Sequence, residues 1–74
     1  VKVLIQDLES QFYLAHQSQW TSDPGEARDF GFSANAHLTA AGSRLGNFQI
    51  IFYIPDLGSK IVIYRSEPRL HAAR

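Results

Sequence analysis

Asn47-Phe48-Gln49-Ile50-Ile51-Phe52-Tyr53-Ile54, Pro55-Asp56-Leu57-Gly58 and Lys60-Ile61-Val62-Ile63-Tyr64 form the stretch whose reading decides the fold. Phe48, Ile50, Phe52 and Ile54 alternate with Gln49, Ile51 and Tyr53, which is the period of a strand. β-branched and aromatic side chains strengthen that reading, because they pack well on a pleated surface. Pro55 to Gly58 supplies a turn, and the return run sets Ile61 and Ile63 against Val62 and Tyr64. The stretch predicts an antiparallel hairpin.

Upstream, Ser33 reads as a helix cap, Gly46 as its left-handed stop and Arg44 as a cation suited to the carbonyl end. The expected helix spans 34–45. Ala34, Leu38, Ala41 and Leu45 recur at helical spacing and predict its buried stripe, narrow enough for close approach to a sheet. Gly42 inside this pattern weakens the second half by about 1 kcal/mol relative to alanine. Earlier still, Asp23-Pro24-Gly25-Glu26 combines an N-cap acid, proline at the first helical position and an acid three residues on. A single helical turn is expected there, ending at Gly31 and carrying Ala27 and Phe30.

At the N-terminus, Val1, Val3 and Ile5 alternate with Lys2, Leu4 and Gln6, and Phe12 to His16 resumes an extended pattern after Asp7 to Gln11. These segments predict another hairpin. The whole is an α+β domain over residues 1–65, a four-stranded and mainly antiparallel sheet in the order β-β-α-β-β with one main helix on one face. Residues 66–74 are expected to be a mobile tail.

Seventy-four residues allow one core. With 21 of its 74 residues Leu, Ile, Val or Phe the chain should fold, and with no cysteine it must do so without disulfides. Seven basic and seven acidic residues cancel, which removes the positive field that supplies general affinity for phosphate backbones. Arg65, Arg69 and Arg74 against Glu67 gather what positive charge there is at the C-terminus. No run is long enough to cross a membrane, and the first residues lack the order of a secretory signal, so a cytoplasmic location is expected.

One short helix can cover only one face of four strands. Opposite the expected core of Val3, Ile5, Phe48, Ile50, Phe52, Ile54, Ile61 and Ile63, alternation places Leu4, Leu8, Tyr13, Ile51, Tyr53, Val62 and Tyr64. Tyrosine is enriched where surfaces meet partners, and large exposed apolar patches are uncommon on monomers. Leu4, Tyr13, Ile51, Tyr53, Val62 and Tyr64 are therefore the candidate contact set for a homodimer or a protein partner. A second reading uses the sheet tyrosines to stack bases and Lys2, Lys60, Arg65, Arg69 and Arg74 to hold phosphates. An ordinary amphipathic sheet, or a tail folded across it, is the bland alternative to both.

Catalytic signatures are absent. His16, His37 and His71 stand far apart, and none has a partner at metal-ligand spacing. Glu26 and Asp29 share a helical turn, where helix-end electrostatics explains acids better than catalysis does. No serine lies in a nucleophile elbow, and there is no glycine-rich phosphate loop. No catalytic residue, metal ligand or cofactor is expected. Trp20 is assigned to closing one end of the core beside Phe30 and Phe32, with a ligand platform as the other use of its ring.

Trp20-Thr21-Ser22-Asp23, Ala27-Arg28-Asp29-Phe30, the alanine-rich helix and Phe48-Gln49-Ile50-Ile51, in that order, resemble a layout of short uncharacterised bacterial and phage-borne proteins. In these a Trp-containing strand end leads through a capped turn to Ala-x-x-Phe. The resemblance covers residues 2–54 and attaches no activity to any position.

Overall fold

The computed structural model describes residues 1–43 and 45–66. Among these residues the strands are β1 (Lys2–Asp7), β2 (Tyr13–Leu14), β3 (Trp20–Thr21), β4 (Phe48–Ile54) and β5 (Ser59–Arg65), with one α-helix, α1 (Ser33–Gly42), and two single 3-10 turns, His16–Ser18 and Pro24–Glu26. The strands form a single antiparallel sheet in the order β3-β2-β1-β4-β5. The sheet therefore has five strands rather than the four expected. The extra one is β3, whose Trp20 and Thr21 pair with Leu14 and Tyr13.

Sequence gave no sign of this third hairpin because its turn lacks the usual residues. Gln17 and Ser18 both have a φ of 60°, a left-handed pair normally made by Asn-Gly. The left-handed conformation costs an L-residue about 1–2 kcal/mol, partly offset in a glycine variant by its freer unfolded chain. Ser18→Gly is accordingly expected to stabilise the domain by about 0.5–1 kcal/mol, raising the melting temperature by about 4 °C. An unchanged or lower melting temperature would contradict this turn geometry.

β1 and β4 make the centre, pairing from Lys2↔Tyr53 to Asp7↔Phe48. Their alternation builds two clusters. Val3, Ile5, Leu14, Phe30 and Ile50 pack with Ala36 and Ala40 of α1, and Leu45, Phe48 and Phe52 border them. Leu4, Tyr13, Ile51 and Ala27 form the other, bordered by Tyr53.

The second cluster corrects the expected bare face, and its cover comes from the connection between β3 and α1. Asp23 accepts from the Gly25 N–H at 2.8 Å and starts a turn at Pro24–Glu26, shorter than the helix expected to reach Gly31, so Ala27 and Phe30 lie in extended chain rather than on one helical side. The Lys2 ammonium donates to the Gly25 carbonyl at 3.1 Å, which holds the turn to β1. The chain then crosses the sheet beside β1, where β2 supplies only the pair Gln6↔Tyr13. Arg28 N–H donates to the Leu14 carbonyl (3.0 Å), Phe30 N–H to the Val3 carbonyl (2.9 Å) and Val3 N–H to Asp29 Oδ1 (3.0 Å). Residues 28–30 thus stand in for a neighbouring strand. Ala27 remains on the face of Leu4 and Ile51, while Phe30 reaches the face of Ile5 and Ile50.

The helix differs from expectation in span and in orientation. It starts after Phe32, with no side-chain cap, so Ser33 is its first residue. It buries Ala36 and Ala40, whereas Ala34, Leu38 and Ala41, taken as the inner stripe, are exposed. Ser-Ala-Asn-Ala-His-Leu-Thr-Ala-Ala-Gly carries no charge, so hydropathy contrast around the cylinder is too weak to select a side. Close approach to the sheet selects it, because Ala36 and Ala40 let the backbone come near Ile5 and Ile50.

Residues 67–74, most of the expected tail, lie outside the described residues. Ser66 follows the last residue of β5 and stays bonded to β4. Its N–H donates to the Phe48 carbonyl at 2.9 Å and its Oγ accepts from Phe48 N–H at 2.9 Å.

Candidate functional site

The six expected contact residues do not form one surface. Leu4, Ile51 and Tyr13 are 0%, 1% and 3% exposed beneath the Ala27 segment, and Tyr53 is half-buried beside them. Of the six, only Val62 and Tyr64 are exposed, and they point to opposite faces. The cause is a bulge. Ile50 pairs with Tyr64 but Ile51 pairs with Val62, which leaves Ile63 surplus and reverses the alternation beyond it. Tyr64 consequently stands on the α1 face, its ring 4.4 Å edge-on from His37 and 5.8 Å from Phe48.

Beyond that cluster, Gln6, Gln49 and Arg65 form a hydrogen-bonded row on the second face. Gln49 Nε2 donates to Gln6 Oε1 at 2.6 Å, Gln6 Nε2 to the Gln11 carbonyl at 3.0 Å, and Arg65 Nη2 to Gln49 Oε1 at 2.9 Å. Both glutamines are buried, and every buried side-chain polar atom among the described residues has a partner. The Lys60 ammonium lies 5.7 Å from the centre of the Tyr13 ring, within cation–π range.

Residues considered for chemistry are committed elsewhere. The Asp29 carboxylate accepts from Val3 N–H at 3.0 Å and Gly31 N–H at 2.9 Å. Those bonds, Val3 first, hold its pKa below the ordinary carboxylate value, against a smaller opposing effect of burial and with help from the charges of Lys2 and the N-terminus. Glu26 is exposed on the preceding turn and joins it in no shared hydrogen bond. His16 is exposed in the β2–β3 turn, and His71 lies outside the described residues. No group of three or more His, Asp or Glu side chains among the described residues could hold a metal ion. Trp20 is 39% exposed on the outer strand β3, and Phe32 is exposed, so these rings do not close the core as expected.

What the structure presents is β5. Ile61, Val62, Ile63 and Tyr64 are each 37–49% exposed, and the strand is the last of the sheet. Alternation had placed Ile61 and Ile63 in the core. They are exposed because a core side chain needs neighbours on both flanks, and among the described residues β5 has a neighbour only at β4.

The direction of the backbone groups follows from the register. Phe48 exchanges bonds with Ser66, so the even-numbered residues of β4 turn their N–H and C=O groups towards β5. Ser59, Ile61 and Tyr64, opposite Ile54, Phe52 and Ile50, point inward. Lys60, Val62 and Arg65, opposite Tyr53, Ile51 and Gln49, point outward. An edge strand with four consecutive apolar residues, whose outward donors and acceptors at Lys60, Val62 and Arg65 pair with no other strand among the described residues, is a template for another strand.

No helix among the described residues is long and apolar enough to cross a membrane. No protein-family profile, curated protein or solved structure matches this chain.

Proposed function

We propose that this chain is a non-enzymatic domain that binds protein, its own kind included, by accepting a strand along the outer edge of β5. The observation that carries the reading is the exposure of four consecutive apolar residues, Ile61 to Tyr64, on the outermost strand. Strand addition uses main-chain hydrogen bonds for affinity and alternate side chains for selection. Lys60 and Val62 offer the first, while Ile61 on one face and Val62 on the other offer the second. The contact surface expected on the open face is thereby moved to the sheet's edge. The nucleic-acid reading loses support, since Tyr13 is buried and Tyr64 is engaged by His37.

The test is a titration of the 15N-labelled chain with a synthetic peptide of residues 59–65. Chemical-shift changes concentrated on the amides of Ser59–Arg65 and the facing residues of β4 are expected. Saturating peptide with no change in β5, or with changes confined to α1 or β3, would refute the reading.

A further inference from the structure

We infer that the strand accepted by β5 is the β5 of a second copy, paired antiparallel about a two-fold axis at Ile61 to give one continuous ten-stranded sheet. This rests on the reading of β5 as a strand-accepting edge. Three observations select the occupant and the register.

The first is which backbone groups are free. A two-fold axis makes edge pairing antiparallel and sets the same patch against itself. With Ile61 on the axis, outward-pointing Lys60 meets outward-pointing Val62 of the other copy, and the reverse, so four N–H···O=C bonds form. Registers centred between two residues set outward groups against inward ones. A centre at Val62 would require Lys60 to pair with Tyr64, whose backbone the bulge has turned inward. Bulges usually guard edges, and here the bulge limits pairing to Ser59–Val62.

Charge is the second. A centre at Lys60 would set two ammonium groups directly opposite each other, which disfavours that register. About Ile61, each lysine faces a valine rather than a like charge, and its ammonium stays over the Tyr13 ring of its own copy. The chain carries no net charge at pH 7, so two copies meet without overall repulsion.

The third is side-chain match on the two faces. Ile61 projects on the α1 face and meets Ile61 of the other copy, a pair of β-branched side chains in the closely spaced position of the ladder. The two-fold axis stands perpendicular to the sheet, so both helices lie on the same face, flanking the seam.

Because the chain has no cysteine, single substitutions report on the seam directly. Paired about Ile61, the Cα atoms of residue 61 and its symmetry mate stand about 4.5 Å apart, inside the range a disulfide spans. Those of residue 62 lie on a diagonal at about 7–8 Å, outside it. Light scattering after size exclusion should find a dimer of the wild-type chain at high micromolar concentration. Ile61→Cys should then form a disulfide-linked dimer at least about tenfold faster than Val62→Cys under the same mild oxidant. Val62→Pro removes an outward N–H that β4 does not use, so its circular dichroism should stay that of the wild type while the dimer weakens about tenfold or more. Dimers in which the two cysteine variants react at equal rates, or a Val62→Pro chain that dimerises unchanged, would overturn the inference. A wild-type monomer at every concentration would also overturn it. If β5 still bound the 59–65 peptide, strand acceptance would stand and only the second copy would be wrong.

Discussion

Leu4→Ala is expected to destabilise the domain by about 3 kcal/mol, as much as Ile5→Ala on the opposite side of the same strand. The two residues are consecutive, so they project to opposite faces, and both are completely buried. Ile5 lies in the cluster of α1, whereas Leu4 has no helix above it and is covered through Ala27 and Tyr13. Truncating either removes its burial and leaves a cavity among side chains fixed by neighbouring strands. A chain this small has a total stability of only ~3–5 kcal/mol. Either variant should therefore populate the unfolded state at room temperature, and urea titration monitored through Trp20 measures the loss. A Leu4→Ala loss below about 1 kcal/mol beside a full loss for Ile5→Ala would mean that the Ala27 segment does not seal its face.

Asp29→Ala is expected to cost about 1–2 kcal/mol, because it leaves the N–H of buried Val3 without its acceptor. The carboxylate is exposed, which places the loss in the lower part of the range for bonds to charged groups. Asp29→Asn keeps an acceptor oxygen and should lose less. The pH dependence follows from the lowered carboxyl pKa. The folded chain holds the ionised form more tightly than the unfolded chain does. The contribution is therefore complete above the unfolded value near pH 4 and fades as pH falls through the folded value below it. Unfolding curves of wild type and Asp29→Asn between pH 2 and 7 should converge at the acid end. Parallel curves across that range would contradict the role given to Asp29.

Both variants probe the connection between β3 and α1, where sequence was least informative. The cap at Asp23 was legible, since an acid before Pro24 has a local physical meaning. That the segment would then serve as a surrogate strand for β1 was not, because its bonds to Val3 and Leu14 join residues far apart in the chain. That β4 and β5 form a hairpin was legible, as alternation and the Pro55–Gly58 turn act over short range. The bulge was not, since an extra residue leaves hydropathy unchanged while sending Tyr64 to the other face. The inner side of α1 was hidden for a related reason: alanines on every side, with no charge, give a pattern with little direction.

The candidate surface shows the same division. The count of oily positions against one short helix pointed to a bare face whose centre the Ala27 segment covers, and the exposed apolar side chains lie on the edge strand instead. Their location depended on strand order, which made β5 an edge and thereby exposed Ile61 and Ile63. It also depended on the Ala27 segment, which withdrew Leu4, Tyr13 and Ile51 from reach.

Amide hydrogen exchange along β5, at low micromolar concentration with and without the 59–65 peptide, tests the open edge most directly. Alone, Ile61 and Tyr64 should exchange slowly and Lys60 and Val62 quickly. With peptide, Lys60 and Val62 should slow by at least about tenfold while Ile61 changes little. Lys60 and Val62 amides already as protected as Ile61 in the dilute chain, and indifferent to peptide, would contradict the account.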